Sequence, residues 1–263
     1  MLFLLTALLL SSCASLSQNG VGRIKHYSFA NEDVPVGFDG YKIAFISDIH
    51  YPSLFNHKRL EKLVRRLKRE DVDVLLLGGD YVTSDDYLNE LFDSLSAVKP
   101  ADGVYAVLGN HEKRYEETAV QAMNDYGIVL LADSVVGVGR EDDVIYLVGI
   151  YDSFDYNPLV AQPEELVNAE AFVLMLCHTP DYAERSSTTA DIVLSGHTHG
   201  GQVSLFGLYT PVKNTQYGNR LLRGMNRTTS GASVITTNGV GTSRRKVRFC
   251  VPSEIVLVTL KTR

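Results

Sequence analysis

Five times in this chain a short apolar run stops abruptly at glycine, aspartate, asparagine or histidine. The runs are "IAFISDIH" (43–50), "VLLLGGD" (74–80), "VYAVLGNH" (104–111), "FVLMLCH" (172–178) and "DIVLSGHTH" (191–199). Runs of this length, bounded by turn residues, read as buried strands. Between them lie segments with helical spacing, such as "HKRLEKLVRRLKRE" (57–70) with Leu60, Leu63, Val64 and Leu67 on one face. Strands alternating with helices predict βαβ units and a layered α/β architecture. "YLNELFDSLSAV" (87–98) and "EETAVQAMNDYG" (116–127) read as two more helices, and "ASVITTNGVG" (232–241) and "PSEIVLVTLK" (252–261) as closing strands. "IVLLADSVVGV" and "VIYLVGIYD" read as a strand pair around the polar "GREDD" turn.

The strand-end residues carry the chemistry. Asp48 and His50 follow the first run, Asp80 the second, Asn110 and His111 the third, His178 the fourth, and His197 and His199 the fifth. Five of the chain's seven histidines sit at these ends, leaving His26 and His57 elsewhere. In open α/β sheets ligands bind beyond the carboxyl ends of the strands, so these groups are expected to meet on one edge. A polar residue where a strand surfaces explains one such end; five in succession point to a site. Glycines before Asp80, Asn110 and His197 let the backbone bring short side chains close together. The set mixes carboxylate, imidazole and amide with no thiolate, which suits Mn, Fe, Zn, Co or Ni. It offers too many ligands for one ion and a natural number for two.

"DIH", "GGD", "GNHE", "CH" and "GHTH" resemble, in order, the motifs of the calcineurin-like metallophosphoesterases. The resemblance runs from about Tyr41 to Leu260. It implies a four-layer α/β/β/α sandwich with two mixed sheets and a dinuclear metal site at strand C-terminal ends. It further implies one divalent ion on Asp48, His50 and His199, a second on Asn110, His178 and His197, and Asp80 bridging both. Mn, Fe or Zn are the ions expected. His111 is implied as the catalytic residue beside the leaving-group oxygen, with Glu112 a candidate to orient it. The implied reaction is hydrolysis of a phosphodiester or pyrophosphate by a hydroxide activated between the ions, with no covalent intermediate.

"GHTHGGQ", "NGVGTS" and "PSEIVLVTL" resemble a bacterial envelope branch of that family. The branch includes a cell-wall-associated phosphodiesterase and UDP-2,3-diacylglucosamine hydrolases. UDP-2,3-diacylglucosamine, and with it lipid A biosynthesis, is therefore a candidate substrate assignment among lipid-linked phosphoesters. The alternative is a non-catalytic metal-binding envelope protein, which a lost ligand or a replaced His111 would favour; none is lost here. A zinc hydrolase of amides or nucleobases predicts H-x-E with P-C-x-x-C, and that pattern is absent.

The segment "MLFLLTALLLSSCAS" reads as the apolar part of an export signal, too short to span a bilayer, which takes about 20 apolar residues. "LSSC" resembles a lipobox, which predicts a lipid-anchored envelope protein attached at Cys13, although no Lys or Arg precedes the apolar run. A membrane-associated N-terminus at the cytoplasmic face is the alternative. Residues 1–18 are thus set apart as a signal or lipoprotein-like segment, and 19–263 as one domain with no long linker. The net charge of −6 argues against nucleic acid as the main partner. Cys13, Cys177 and Cys250 are too few for a disulfide framework. Cys177 and Cys250 read as small buried residues, with a bridge between them left open.

Two basic clusters stand out. Lys58, Arg59, Lys62, Arg65, Arg66, Lys68 and Arg69 lie opposite the apolar stripe of their helix, as a solvated face or a surface for anionic lipid. Arg244, Arg245, Lys246 and Arg248 follow "NGVGTS", as a polar hairpin or as contacts to substrate phosphates.

Overall fold

The computed structural model describes residues 21–263 apart from 54, 152, 154–161, 207 and 244–246. The signal-like segment with Cys13, and Arg244, Arg245 and Lys246 of the second basic cluster, lie outside the described residues.

Two mixed six-stranded sheets stack face to face. The first contains β1 (Arg23–Asn31), β2 (Lys42–Ile46), β3 (Val74–Leu77), β4 (Val104–Ala106), β5 (Val129–Leu130) and β12 (Glu254–Thr262), in the order β1-β12-β2-β3-β4-β5. The second contains β6 (Ser134–Arg140), β7 (Asp143–Gly149), β8 (Val173–Leu176), β9 (Ile192–Ser195), β10 (Gly224–Arg227) and β11 (Ser233–Thr236), in the order β10-β11-β9-β8-β7-β6. Helices α1 (His57–Glu70), α2 (Leu88–Ser96) and α3 (Glu116–Asp125) cover the first sheet; the short α4 (Asp181–Arg185) and loops cover the second. This is the four-layer sandwich expected, with a thin fourth layer.

The two-residue side-chain period of a strand divides each run between two cores. In β2, Ile43 and Phe45 face the second sheet, while Ala44 and Ile46 face the helices. In β8, Leu174 and Leu176 face the first sheet, while Val173 and Met175 face outward under Tyr182 and Leu221. Both faces being covered explains why the central strands are continuously apolar. Each fully buried Leu or Phe there contributes about 1.5–3 kcal/mol.

Helix α1 starts where the Asn56 side chain accepts from the Arg59 amide at 3.2 Å and ends at Asp71 in the left-handed region. Leu60, Leu63 and Leu67 are buried, and six of the seven basic residues are exposed. Arg59 is the exception. It is buried, lies over the Phe55 ring and donates to the Val240 carbonyl at 3.2 Å, so it belongs to the core and not to the basic face.

Three elements differ from the sequence-based expectation. The polar-looking stretch before Tyr41 contains β1, which pairs in parallel with the whole of β12. It is an edge strand with only Phe29 buried, so it lacks an apolar run. The run "IVLLADSVVGV" is divided: β5 ends the first sheet and β6 begins the second, with the chain crossing between them at residues 131–133. Cys177 is buried, but Cys250 is half-buried, and both are free thiols.

Register positions the site. Ile46 lies beside Leu77, and Leu77 beside Ala106; across the sandwich Leu176 lies beside Leu194. The carboxyl ends of β2, β3, β4, β8 and β9 therefore meet at one edge. The ladder between β2 and β3 continues past the strands, with Asp48 N donating to Gly79 O at 2.9 Å and His50 N to Asp80 O at 3.1 Å. The start of β12 lies at this same edge, and Arg23 of β1 stands opposite Glu254.

Candidate metal centre

Every strand-end residue singled out in the sequence reaches this edge. Asp48, His50 and His199 each offer a ligand atom within 4.8 Å of the others; so do Asp80, His178 and His197; and so do His50, Asp80 and His111. His199 Nε2 lies 3.1 Å from His50 Nε2 and 3.2 Å from Asp48 Oδ1. Asp80 stands between the groups, with Oδ2 3.6 Å from His50 Nε2 and Oδ1 3.5 Å from His178 Nε2. Asn110 joins through its Oδ1, 3.1 Å from His197 Nδ1. His111 is on the open side, its side chain 28% exposed, with Nε2 3.9 Å from Asp80 Oδ2 and its ring edge-on to His50.

The backbone is held in an uncommon conformation to achieve this. Asp48, His50, Asp80, His197 and His199 all have φ between 47° and 66°. Left-handed non-glycine residues are costly and cluster at functional sites. Gly79, at φ 90°, is the one of the three expected glycines that needs left-handed freedom. Gly196 is required for closeness instead, because a side chain there would collide with Ser47 and Asp48.

The surrounding hydrogen bonds orient each group. Asp48 accepts from His197 N at 3.0 Å and from the Ser47 hydroxyl at 2.7 Å. His178 Nδ1 faces the Gly78 carbonyl at 2.6 Å, which fixes the proton there and turns Nε2 toward Asp80. Glu112 is fully buried and accepts from the amides of Asp80, Tyr81 and Gly109 at 2.8–2.9 Å. It secures the Asp80 turn; the expected orienting contact with His111 is not among its hydrogen bonds. Burial pushes the Glu112 pKa up to about 7, with the nearby Asp80 charge adding to the rise.

Arg248 was grouped in the sequence with a possible phosphate-binding cluster, and its place is otherwise. It is buried and donates to the carbonyls of Gly241 at 2.6 Å, Asn238 at 2.5 Å and His199 at 3.1 Å. It thereby ties the 238–241 loop to the His199 turn, and burial pushes its pKa down to about 10. Neither Arg248 nor Ser47 had a sequence signal beyond its neighbourhood.

Electrostatics favour ligand-competent imidazoles. Burial holds His50 down to about 4 and His197 down to about 3, and keeps His199 well below its usual value. Burial raises Asp48 to about 6. The Asp80–His178 pair behaves differently. Burial opposes both charges, yet each stabilises the other, so Asp80 is lowered and His178 is raised to about 9. Two carboxylates and four imidazoles, with an amide oxygen, form a donor set that a pair of divalent ions fits: a cation would supply the positive charge beside Asp80 that protonated His178 otherwise provides.

Residues 41–201 match the calcineurin-like phosphoesterase family. That is more than half of the chain, and it includes all eight strand-end residues.

The chain is a calcineurin-like metallophosphoesterase.

It is thus a hydrolase acting on phosphoester bonds, from a family that uses a dinuclear metal site. An uncharacterised metallophosphoesterase of Aquifex aeolicus is 30% identical over 254 residues, covering 91% of this chain and 92% of its own. The phosphodiesterase YaeI of Escherichia coli is 29% identical over 211 residues, covering 76% and 75%. Among solved structures, the sulfate thiohydrolase SoxB of Thermus thermophilus has TM-score 0.50 and 12% identity, covering 79% of this chain and 53% of that one; this likeness concerns the fold alone.

Proposed function

We propose that this metallophosphoesterase hydrolyses phosphodiester or pyrophosphate bonds of a lipid-linked cell-envelope substrate. The observation that carries the reading is the pair of carboxylate–imidazole groups joined at Asp80. Asp48, His50 and His199 would hold one divalent ion, Asn110, His178 and His197 the other, and Asp80 both. Two such ions, Mn, Fe or Zn, would lower the pKa of a water toward neutrality and would offset charge on the phosphoryl oxygens. His111 donates a proton or hydrogen bond to the leaving-group oxygen from the open side. The similarity to a phosphodiesterase supports a diester over a monoester.

The direct test uses the full-length chain with bis(p-nitrophenyl) phosphate and p-nitrophenyl phosphate. Turnover of the diester should vanish on metal removal and return with Mn²⁺. His111→Ala should lower kcat by on the order of 10²-fold while two ions stay bound. An unaltered kcat in that variant would remove His111 from the mechanism. Two bound ions with no turnover of either substrate would favour a metal-binding envelope protein without this activity.

The envelope assignment draws on the sequence "LSSC" (10–13). Among the described residues no helix is long and apolar enough to cross a membrane. A lipid on Cys13 would supply attachment outside the cytoplasm, which favours an envelope diester over the nucleotide-linked UDP-2,3-diacylglucosamine. Radiolabelled palmitate should enter the intact chain and be lost in Cys13→Ser; equal labelling of both would rule out that anchor.

A further inference from the structure

His197 and His199, two residues apart, open onto different cavities. On the His199 side is a cavity of 400 Å³ lined by Val203, Pro211, Val212 and Val247. On the His197 side is one of 530 Å³ lined by Thr179, Asp181, Arg185 and Lys213. The strip 211–214 divides them. Pro211 and Asn214 line both, Val212 only the first and Lys213 only the second.

The two cavities differ in chemistry. Between Val203 and Val212, Leu205 N donates to Tyr209 O at 2.7 Å, and Leu208 is 86% exposed with Leu205, Phe206 and Tyr209 also exposed. Exposed apolar side chains thus lie in the chain between two walls of this cavity, Val203 and Val212, and clustered exposed apolar residues are a feature of interaction surfaces. In the other cavity the Asp181 carboxylate is taken up by Gln216 N at 2.9 Å and by the Thr215 hydroxyl. Arg185 donates to Ser153 O at 2.7 Å. Lys213 is half-buried and makes no ion pair among the described residues. Among the described residues lining this cavity, two cations, Arg185 and Lys213, stand against one carboxylate, Asp181.

We propose that the substrate is an amphipathic phosphodiester that straddles this divide. Its alkyl or acyl chain lies in the Val203–Val212–Val247 cavity, its anionic headgroup lies beside Lys213 and Arg185, and the scissile phosphorus lies between, at the metal centre. The inference rests on the phosphodiesterase reading of that centre and adds the identity and orientation of the two ester groups. Cavities of this size, apolar with few polar anchors, are typical of small-molecule sites.

The test is binding of dialkylphosphinates, which copy the diester but have no P–O–C bond to hydrolyse, to the metal-loaded full chain by calorimetry, with one alkyl group held as methyl and the other methyl or decyl. Each methylene buried should tighten binding about fourfold, so the decyl compound should bind at least about 10²-fold more tightly than the dimethyl compound. Val212→Glu and Val247→Glu, on half-exposed walls, should each collapse that ratio to within about threefold. A phosphinate with a distal phosphate should lose about tenfold in affinity in Lys213→Ala and recover in Lys213→Arg. Equal binding of the dimethyl and decyl compounds, or a ratio indifferent to both glutamates, would overturn the proposal. Hydrolysis of bis(p-nitrophenyl) phosphate by the same preparations separates the two readings. Turnover without a decyl preference removes the cavity assignment alone; a decyl preference without turnover of any diester removes the phosphodiesterase reading and leaves an amphiphile-binding site.

Discussion

Asp80→Asn should lower diester turnover by on the order of 10³-fold and reduce the bound metal from two ions to one or none. The substitution keeps the shape of the side chain, and the Asn oxygen can still accept from His111 N, which now donates to Asp80 Oδ1 at 3.0 Å. What changes is charge. Asp48 and Asp80 are the only carboxylates among the seven proposed ligands, and Asp80 is the one placed between the two groups. Removing it leaves one negative charge to offset two divalent cations in a buried setting, where an unpaired charge is expensive. Metal analysis beside kcat measures both effects. An Asn variant that kept two ions and turned over within tenfold of the parent would show that the bridge is not at Asp80.

Arg248→Met should destabilise the fold by about 3 kcal/mol, because several buried carbonyls lose their donor together. For a chain of this size that corresponds to a fall in Tm of roughly 6–12 °C. The same change should weaken metal binding by about 10–100-fold, since Arg248 holds the turn that presents His199. Arg248→Lys should recover only part of either loss. A single ammonium cannot span the carbonyls of Asn238, Gly241 and His199 that the guanidinium fork reaches. Thermal unfolding and metal titration are the measurements. A Met variant equal to the parent in both would show that the loop and the turn are held by other contacts.

The sequence made the central strands and the chemistry at their ends legible because burial on both faces leaves no room for polar residues until the chain surfaces. β1 was hidden for the opposite reason: an edge strand with one buried side chain resembles a polar loop. The division of "IVLLADSVVGV" between two sheets was hidden because an apolar run does not record which sheet it joins. Glu112 and Arg248 show a further limit. Adjacency in sequence placed Glu112 with His111 and Arg248 with its basic neighbours. Glu112 instead turns inward to accept from the Tyr81 amide, 31 residues away, and Arg248 to donate to the His199 carbonyl, 49 residues away. Such partners follow from the path of the loops, and a local pattern does not encode that path.

The pairing of β1 with β12 has a consequence for where the reaction takes place. Arg23 stands opposite Glu254, whose carboxylate accepts from Asn238 N at 3.1 Å, in the loop that also bonds the backbone of Ser47 and Asp48. The first strand therefore begins at the edge that carries the proposed metal ligands. An acyl group on Cys13 would be ten residues upstream, a leash of at most roughly 36 Å. A leash that short, fixed beside the reacting groups, would confine enzyme and lipid-borne diester to one plane. Encounters would then depend on lateral diffusion and surface density, with the effective concentration set by leash length and not by the bulk solution.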